Sequence, residues 1–260
     1  MPEICYGISK IGMKSKKTNI RIVASRVTGP YHSAKKMACQ DFFSYGRKGK
    51  KVIAVVADGA GSAKYGQIGA KTVCETMCDI LVNASFSDIR QKIIDSLDVA
   101  RQKLMRHRFN KTKDENGLVD FAATVVGVVY FQNKGLFFHI GDGAGIAFLS
   151  DENYIVSQPE NGIFSCETYF YTMDDWKDSL RFTPFEKAEN LMLMTDGITG
   201  FALKNGSFEI ESGFVEPINH YLNAEKNKAK ALRALNNTLR NPSANRLNSD
   251  DKTFLWVGLK

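Results

Sequence analysis

Residues 52–61 read VIAVVADGAG, and this run decides the fold. Six apolar residues, three of them valine, reach a single carboxylate, Asp58, and the chain then turns on Gly59. The pattern is that of a buried strand ended by a turn. Two more runs close the same way. Residues 136–145 (LFFHIGDGAG) end in Asp142-Gly143, and residues 191–200 (LMLMTDGITG) end in Asp196-Gly197. Asp250-Asp251 precedes the last apolar run, 253–259, and Gln40-Asp41 leads into Phe42-Phe43. One Asp-Gly is an ordinary turn signal. Several at strand mouths are another matter, because a carboxylate there is costly unless solvated or paired, and strand ends converge. Divalent cations remove the repulsion. Hard oxygen donors without a matching His/Cys cluster point to Mg²⁺ or Mn²⁺, not zinc. Glycine after the ligand lets the backbone turn sharply and brings its carbonyl close.

Outward from these runs, residues 20–27, 124–131 and 146–149 also read as strands, with a hairpin turning at 132–135. Helical spacing appears over residues 68–82. It recurs after Ser87, read as an N-cap, in Ile89, Ile93, Ile94, Leu97, Ala100 and Leu104. A further helix carries Ala231, Leu232, Leu235 and Leu239 and stops at Asn241-Pro242. Strands come in adjacent pairs and helices in groups, so antiparallel sheets with flanking helices (α+β) are favoured over a doubly wound fold. No Pro/Gly/Ser-rich linker divides the chain, and residues 1–260 are expected to form a single domain.

Composition is that of a packed protein: 43% hydrophobic, 24% charged, with Gly 21 and Pro 6. The formal charge of +7 is local. Residues 1–51 hold twelve Lys/Arg against Glu3 and Asp41, a net of +10, while the remaining 209 carry 23 basic and 26 acidic groups, or −3. A nucleic-acid-binding domain is suggested only by this charge; no interleaved aromatics or recognisable module accompany it. The cysteines (Cys5, Cys39, Cys74, Cys78, Cys166) are odd in number and form no C-x-x-C pair, which predicts a reduced, cytoplasmic protein. No continuous apolar segment near residue 1 reads as a secretory signal, and no run approaches the ~18 residues needed to span a bilayer.

The ordered set ACQDFF, VVADGAGSAKYGQIGA, FAATVVGVVY, FHIGDGAGIAFL, MLMTDGIT and SDDKTFLWVGL resembles the metal-dependent protein phosphatase 2C (PPM) family, in its compact prokaryotic branch. Pro159-Glu160-Asn161-Gly162, followed by Glu167-Thr168, is similar to that branch too. The likeness runs from about residue 20 to residue 259. It implies a four-layer α-β-β-α sandwich, with two stacked antiparallel sheets flanked by helices. It also implies a serine/threonine protein phosphatase that hydrolyses phosphomonoesters with a metal-activated water across a binuclear Mg²⁺/Mn²⁺ centre, without a phosphoryl-enzyme.

By the same resemblance, Asp58 bridges two ions, Asp196 and Asp250 complete one site, and the Gly59 carbonyl joins Asp58 at the other. Asp41 acts through a metal-bound water, and Asp142 is the outer aspartate of a third ion. The implied partners are a phosphorylated protein substrate and a cognate serine/threonine kinase, with no nucleic acid, no membrane and a monomeric state. The chain departs from the family pattern at three positions. Ala60 stands where many eukaryotic members have histidine, which leaves the general acid to another group or a metal-bound water. Gly200 replaces a frequent third-metal aspartate. Lys36 replaces the phosphate-binding arginine and lacks its bidentate fork; Lys35, His32 and Arg26 are the alternatives. Lys36 and Gly200 motivate a second reading, a weak or inactive pseudophosphatase that binds phosphoproteins or serves as a scaffold.

Among other residues, His32 is expected on a polar loop near the site, and His139 as a satisfied core histidine. His107 and His220 are expected at the surface. Asp251 is expected to support Asp250, Trp176 to anchor a loop, and residues 47–51 to form a solvated hairpin turn.

Overall fold

The computed structural model describes residues 20–112, 117–160 and 168–259. Two five-stranded antiparallel sheets stack face to face. One is ordered β1 (Arg21–Val27), β10 (Lys252–Gly258), β9 (Ala188–Met194), β6 (Ala144–Leu149) and β7 (Tyr154–Ser157). The other is ordered β2 (Phe42–Lys48), β3 (Lys51–Ala57), β4 (Val125–Phe131), β5 (Lys134–Ile140) and β8 (Arg181–Glu186). Helices α2 (Gly66–Leu81) and α3 (Ile89–Thr112) cover the second sheet. Helices α4 (Asp196–Ala202), α5 (Ser212–Ala224) and α6 (Lys228–Leu239) cover the first. The expected four layers are present.

The run at residues 52–57 shows why. All of Val52 to Ala57 are fully buried, and they alternate. Ile53, Val55 and Ala57 pack toward α2 and α3, whereas Val52, Ala54 and Val56 face the other sheet. A strand between two layers needs apolar side chains on both faces, which is why no polar alternation appears. In β10, Phe254 and Trp256 face the helices, and Leu255 and Val257 the opposing sheet. Each such Val or Leu removed from water stabilises the fold by about 1.5–3 kcal/mol. Trp256 reaches the edge of its core and donates Nε1–H to Asn219 Oδ1 at 2.9 Å. Arg21 donates to the Leu222 and Asn223 carbonyls at 2.8 and 3.2 Å, where the end of α5 favours a cation.

Two local expectations are corrected. Ser87 is not the cap of α3, which begins at Ile89. The first capping carbonyl is that of Asp88, which accepts from Lys92 N–H at 3.0 Å, while the Ser87 hydroxyl pairs with that of Ser85 at 2.9 Å. His32 is not on a polar loop: it lies in a short helix, α1 (Pro30–Ala34), and is buried. The hairpins turn as expected, at 132–133 between β4 and β5 and at 49–50 between β2 and β3. Trp176, 3% exposed, is part of the core under α2 and α3 and anchors its loop. Cys39, Cys74 and Cys78 are buried free thiols. His220 is exposed, whereas His107 is half-buried with its ring edge-on to Phe121. Asn161, Gly162, Cys166, Glu167 and Cys5 lie outside the described residues. No helix among the described residues is long and apolar enough to cross a membrane.

Candidate active site

Strand register alone gathers the aspartates. Phe42 pairs with Ala57, so Asp41 before β2 and Asp58 after β3 become neighbours. Met194 pairs with both Phe254 and Ala144. Asp196 after β9 is therefore flanked by the segment leading into β10, with Asp250, and by the turn before β6, with Asp142. Both sheets thus contribute acids to one edge of the sandwich. Val27 pairs with Lys252, which delivers α1 to the same place.

Each acid is then fixed locally. Asp58 is held by a two-way clasp: its N–H donates to Thr124 Oγ1 at 3.0 Å, and its carbonyl accepts from Thr124 N–H at 2.8 Å. Gly59 follows in a tight approach, since a Cβ there would lie 2.3 Å from the Gly66 carbonyl carbon at the start of α2. With its amide nitrogen turned inward, Gln40 donates to the Gly59 and Ala60 carbonyls at 2.9 and 3.0 Å. Asp41 is fully buried, and its Oδ2 accepts from Thr195 Oγ1 at 2.7 Å. Asp196 opens α4. Gly197 beside it admits no side chain, because a Cβ would meet the Asp251 carbonyl at 1.9 Å. Asp142 Oδ2 accepts from Thr168 at 2.8 Å. Asp250 Oδ1 accepts the N–H of Asp251 at 2.8 Å.

The electrostatics follow from that crowding. Burial, then the charges of Asp196 and Asp41, raise the Asp58 carboxyl well above its ordinary range. Burial, then Asp142 and Asp250, do the same to Asp196. Burial pushes Asp41 up to about 6 despite its bond from Thr195, and Asp142 is raised by burial as well. Asp41 Oδ1, Asp142 Oδ1 and Asp196 Oδ1 are buried without a partner. A cavity of about 330 Å³ opens beside the last two, lined by Asp142, Thr168, Asp196, Thr199, Gly200 and Lys204.

Among the described residues, no three His, Cys, Asp or Glu side chains are drawn together closely enough to ligate one ion. The donor set nonetheless fits a hard divalent cation: unpartnered carboxylate oxygens, like charges raised by one another, and no thiolate or imidazole among them. One buried cation is already supplied by the chain. Lys252, 1% exposed, donates Nζ–H to the Asn248 and Asp250 carbonyls at 2.8 and 3.0 Å and is bathed in the field of Asp250 and Asp251.

The sequence reading missed Lys252, Thr195 and Thr124. Their only signal was adjacency to an acid or to an apolar run. Of the basic candidates, Lys36 is exposed and held at a positive φ of 56°. Lys35 is turned onto Tyr31, with its ammonium 3.8 Å from the ring centroid and in contact with the hydroxyl. Arg26 lies over the Phe42 ring and donates to the Asp41 carbonyl at 2.8 Å. His139 is buried with Nδ1 3.0 Å from Ser157 Oγ, as a core histidine. Asp251 is buried and accepts from three directions: Gly29 N–H at 2.7 Å, Gln40 N–H at 2.6 Å and His32 Nδ1 at 2.8 Å.

Comparison with known proteins agrees with this architecture. Stp1, a serine/threonine phosphatase from Staphylococcus aureus, superposes with a TM-score of 0.66 at 13% identity, covering 97% of this chain and 100% of that one. The S. agalactiae serine/threonine phosphatase gives 0.64 at 15%, covering 93% and 100%. The Mycobacterium tuberculosis serine/threonine phosphatase PstP/Ppp gives 0.62 at 13%, covering 93% and 99%. At such identity the likeness is one of fold. No curated protein matches the chain in sequence. A family model for protein phosphatase 2C, however, matches residues 28–240, the greater part of the chain. The chain therefore belongs to the protein phosphatase 2C family.

Proposed function

We propose that this chain is a metal-dependent serine/threonine protein phosphatase, acting as one catalytic unit on phosphorylated proteins. The observation that carries the reading is the gathering of Asp41, Asp58, Asp142, Asp196 and Asp250 at one sandwich edge. Three of them hold buried oxygens without partners. A scaffold has no need of five acids that repel one another. Asp58, the Gly59 carbonyl, Asp196 and Asp250 would hold two Mg²⁺ or Mn²⁺ ions, with Asp41 acting through water and Asp142 at an outer position. When bound, such ions supply charge neutralisation and a water acidic enough to be a nucleophile near neutral pH. The chain's own groups do the remainder. Thr124 and Thr195 aim Asp58 and Asp41, and Lys36 and His32 on the α1 side offer donors to a phosphate dianion, with Lys35 a third once its ammonium leaves Tyr31. The buried free thiols suit a reducing, cytoplasmic setting, and the opposing partner would be a serine/threonine kinase.

The second reading, a weak or inactive phosphoprotein-binding pseudophosphatase, rests on Gly200 and the exposed Lys36. Incubation with a phosphothreonine peptide and Mn²⁺, with and without chelator, separates the two. Phosphate release that the chelator abolishes is the expected result. Peptide binding without release would establish the pseudophosphatase. Salt-sensitive binding to nucleic acid without turnover would overturn both.

A further inference from the structure

His32 is 3% exposed, and its two ring nitrogens differ sharply. Nδ1 lies 2.8 Å from Asp251 Oδ2. The other partners of that carboxylate, the N–H groups of Gly29 and Gln40, are donors, so Nδ1 donates too. Nε2 is buried and has no partner in the protein. It faces the loop that carries Asp58: a Cβ built on Gly61 would lie 3.9 Å from it. The ring therefore spans from a fixed carboxylate to the catalytic loop, with its far nitrogen free. A buried polar atom left unpaired is costly, and one set against the loop that follows Asp58 can be relieved by a group that arrives with the substrate.

We infer that His32, oriented by Asp251, is the proton donor to the departing serine or threonine oxygen; this rests on the phosphatase reading above. As the bond between phosphorus and that oxygen breaks, the oxygen takes the Nε2 proton and leaves as the alcohol. Water supplies the new bond to phosphorus, and the proton it releases replaces the one that Nε2 gave up. Asp251 keeps the Nδ1–H throughout, fixing the ring's orientation. Asp251 is the charged group in contact with the ring. Tyr31 packs edge-on to it at 5.3 Å, and Lys35 is turned away onto Tyr31. Ala60, beside Gly61, has no proton to give. His139 also has a buried Nε2, but a hydroxyl on Ser157 faces its Nδ1 and the neighbouring charge is the Arg181 cation, so no carboxylate fixes it.

The test compares two esters with Mn²⁺ present: p-nitrophenyl phosphate, whose leaving group needs no proton, and a phosphothreonine peptide, whose leaving group does. In His32→Gln, kcat on the peptide is expected to fall by about 100-fold or more, and kcat on the nitrophenyl ester by less than about fivefold. Asp251→Asn, which disturbs positioning, is expected to show the same selectivity more weakly. Equal losses on both esters would overturn the inference. A second readout does not depend on turnover. Inorganic phosphate titrated into the wild-type protein carrying ¹⁵N-histidine, with His32 assigned by its absence in His32→Gln, is expected to move the Nε2 resonance. No movement at saturating phosphate would also overturn it. A wild type that hydrolyses neither ester defeats the phosphatase reading itself, a result distinct from equal losses in the variants.

Discussion

Asp58 sits where burial and three like charges meet, and its raised carboxyl makes a stability statement. An acid whose folded pKa is raised binds its proton more tightly when folded. It favours the fold below the ordinary value of 3.8, and that advantage is lost as pH rises through the folded value. The protein without metal at neutral pH is therefore held back by these acids. Asp58→Asn is expected to raise its melting temperature, a stabilisation of about 1 kcal/mol or more, since a tenfold change in proton affinity is worth ~1.4 kcal/mol. The same substitution is expected to abolish the stabilisation conferred by Mn²⁺. Calorimetric scans with chelator and with Mn²⁺ check both, and a lower melting temperature under chelator would contradict the account. His139 has the opposite sign. Burial, then the Arg181 charge, holds its pKa well below 6.5, so the unfolded chain takes up a proton that the folded ring refuses. Stability is lost as pH falls below about 6.5, at up to ~1.4 kcal/mol per pH unit. His139→Gln is expected to remove that slope in urea titrations between pH 6.5 and 5.5; an unchanged difference across that range would contradict it.

The elements show how far sequence could reach. The both-faces-buried strands were legible because a strand between two layers needs apolar side chains on both faces, as residues 52–57 illustrate. The acids were legible because each borders an apolar run: Asp58, Asp142 and Asp196 follow one, and Asp41 and Asp250 precede one. The His32–Asp251 contact was not, because it is made by register: Val27 opposite Lys252 sets α1 against residues 249–251, and no local pattern encodes a pairing 219 residues apart. Ser87 misled because serine is a common cap, yet the chain there turns through paired hydroxyls before the helix begins. Two element-scale expectations follow from geometry. The β4–β5 turn places Gln132 and Asn133 at φ 50° and 65°, a pair suited to Asn-Gly. Gln132→Asn is expected to stabilise the fold by a few tenths to about 1 kcal/mol, read from the urea midpoint. In α4, a Cβ at Gly200 meets nothing within 4 Å, and the position lines the cavity with Asp142 and Asp196. Gly200→Asp is therefore expected to fold normally and to add a Mn²⁺ binding event in calorimetric titration; a misfolded product would contradict the open space described.

At the scale of the molecule, three apolar layers hold the two sheets and their helices together, and the acids lie at the one edge where both sheets end. The local positive charge that first suggested nucleic acid belongs in part to α1 and its exit, where Lys35 and Lys36 follow the buried His32 and the Val27–Lys252 pairing sets this segment beside the acid edge. A basic lip beside an acidic floor suits a dianion that must approach bound cations, and it raises the encounter rate of such a ligand. The central claim is that the converging aspartates make a cation-dependent hydrolytic centre. The most direct measurement is phosphate release from a phosphothreonine peptide, followed across a Mn²⁺ titration in wild type, Asp58→Asn and Asp196→Asn. The expected result is saturable, Mn²⁺-dependent turnover in wild type and a loss of about 100-fold or more in each variant. Turnover independent of Mn²⁺, or unaffected by both substitutions, would contradict the account.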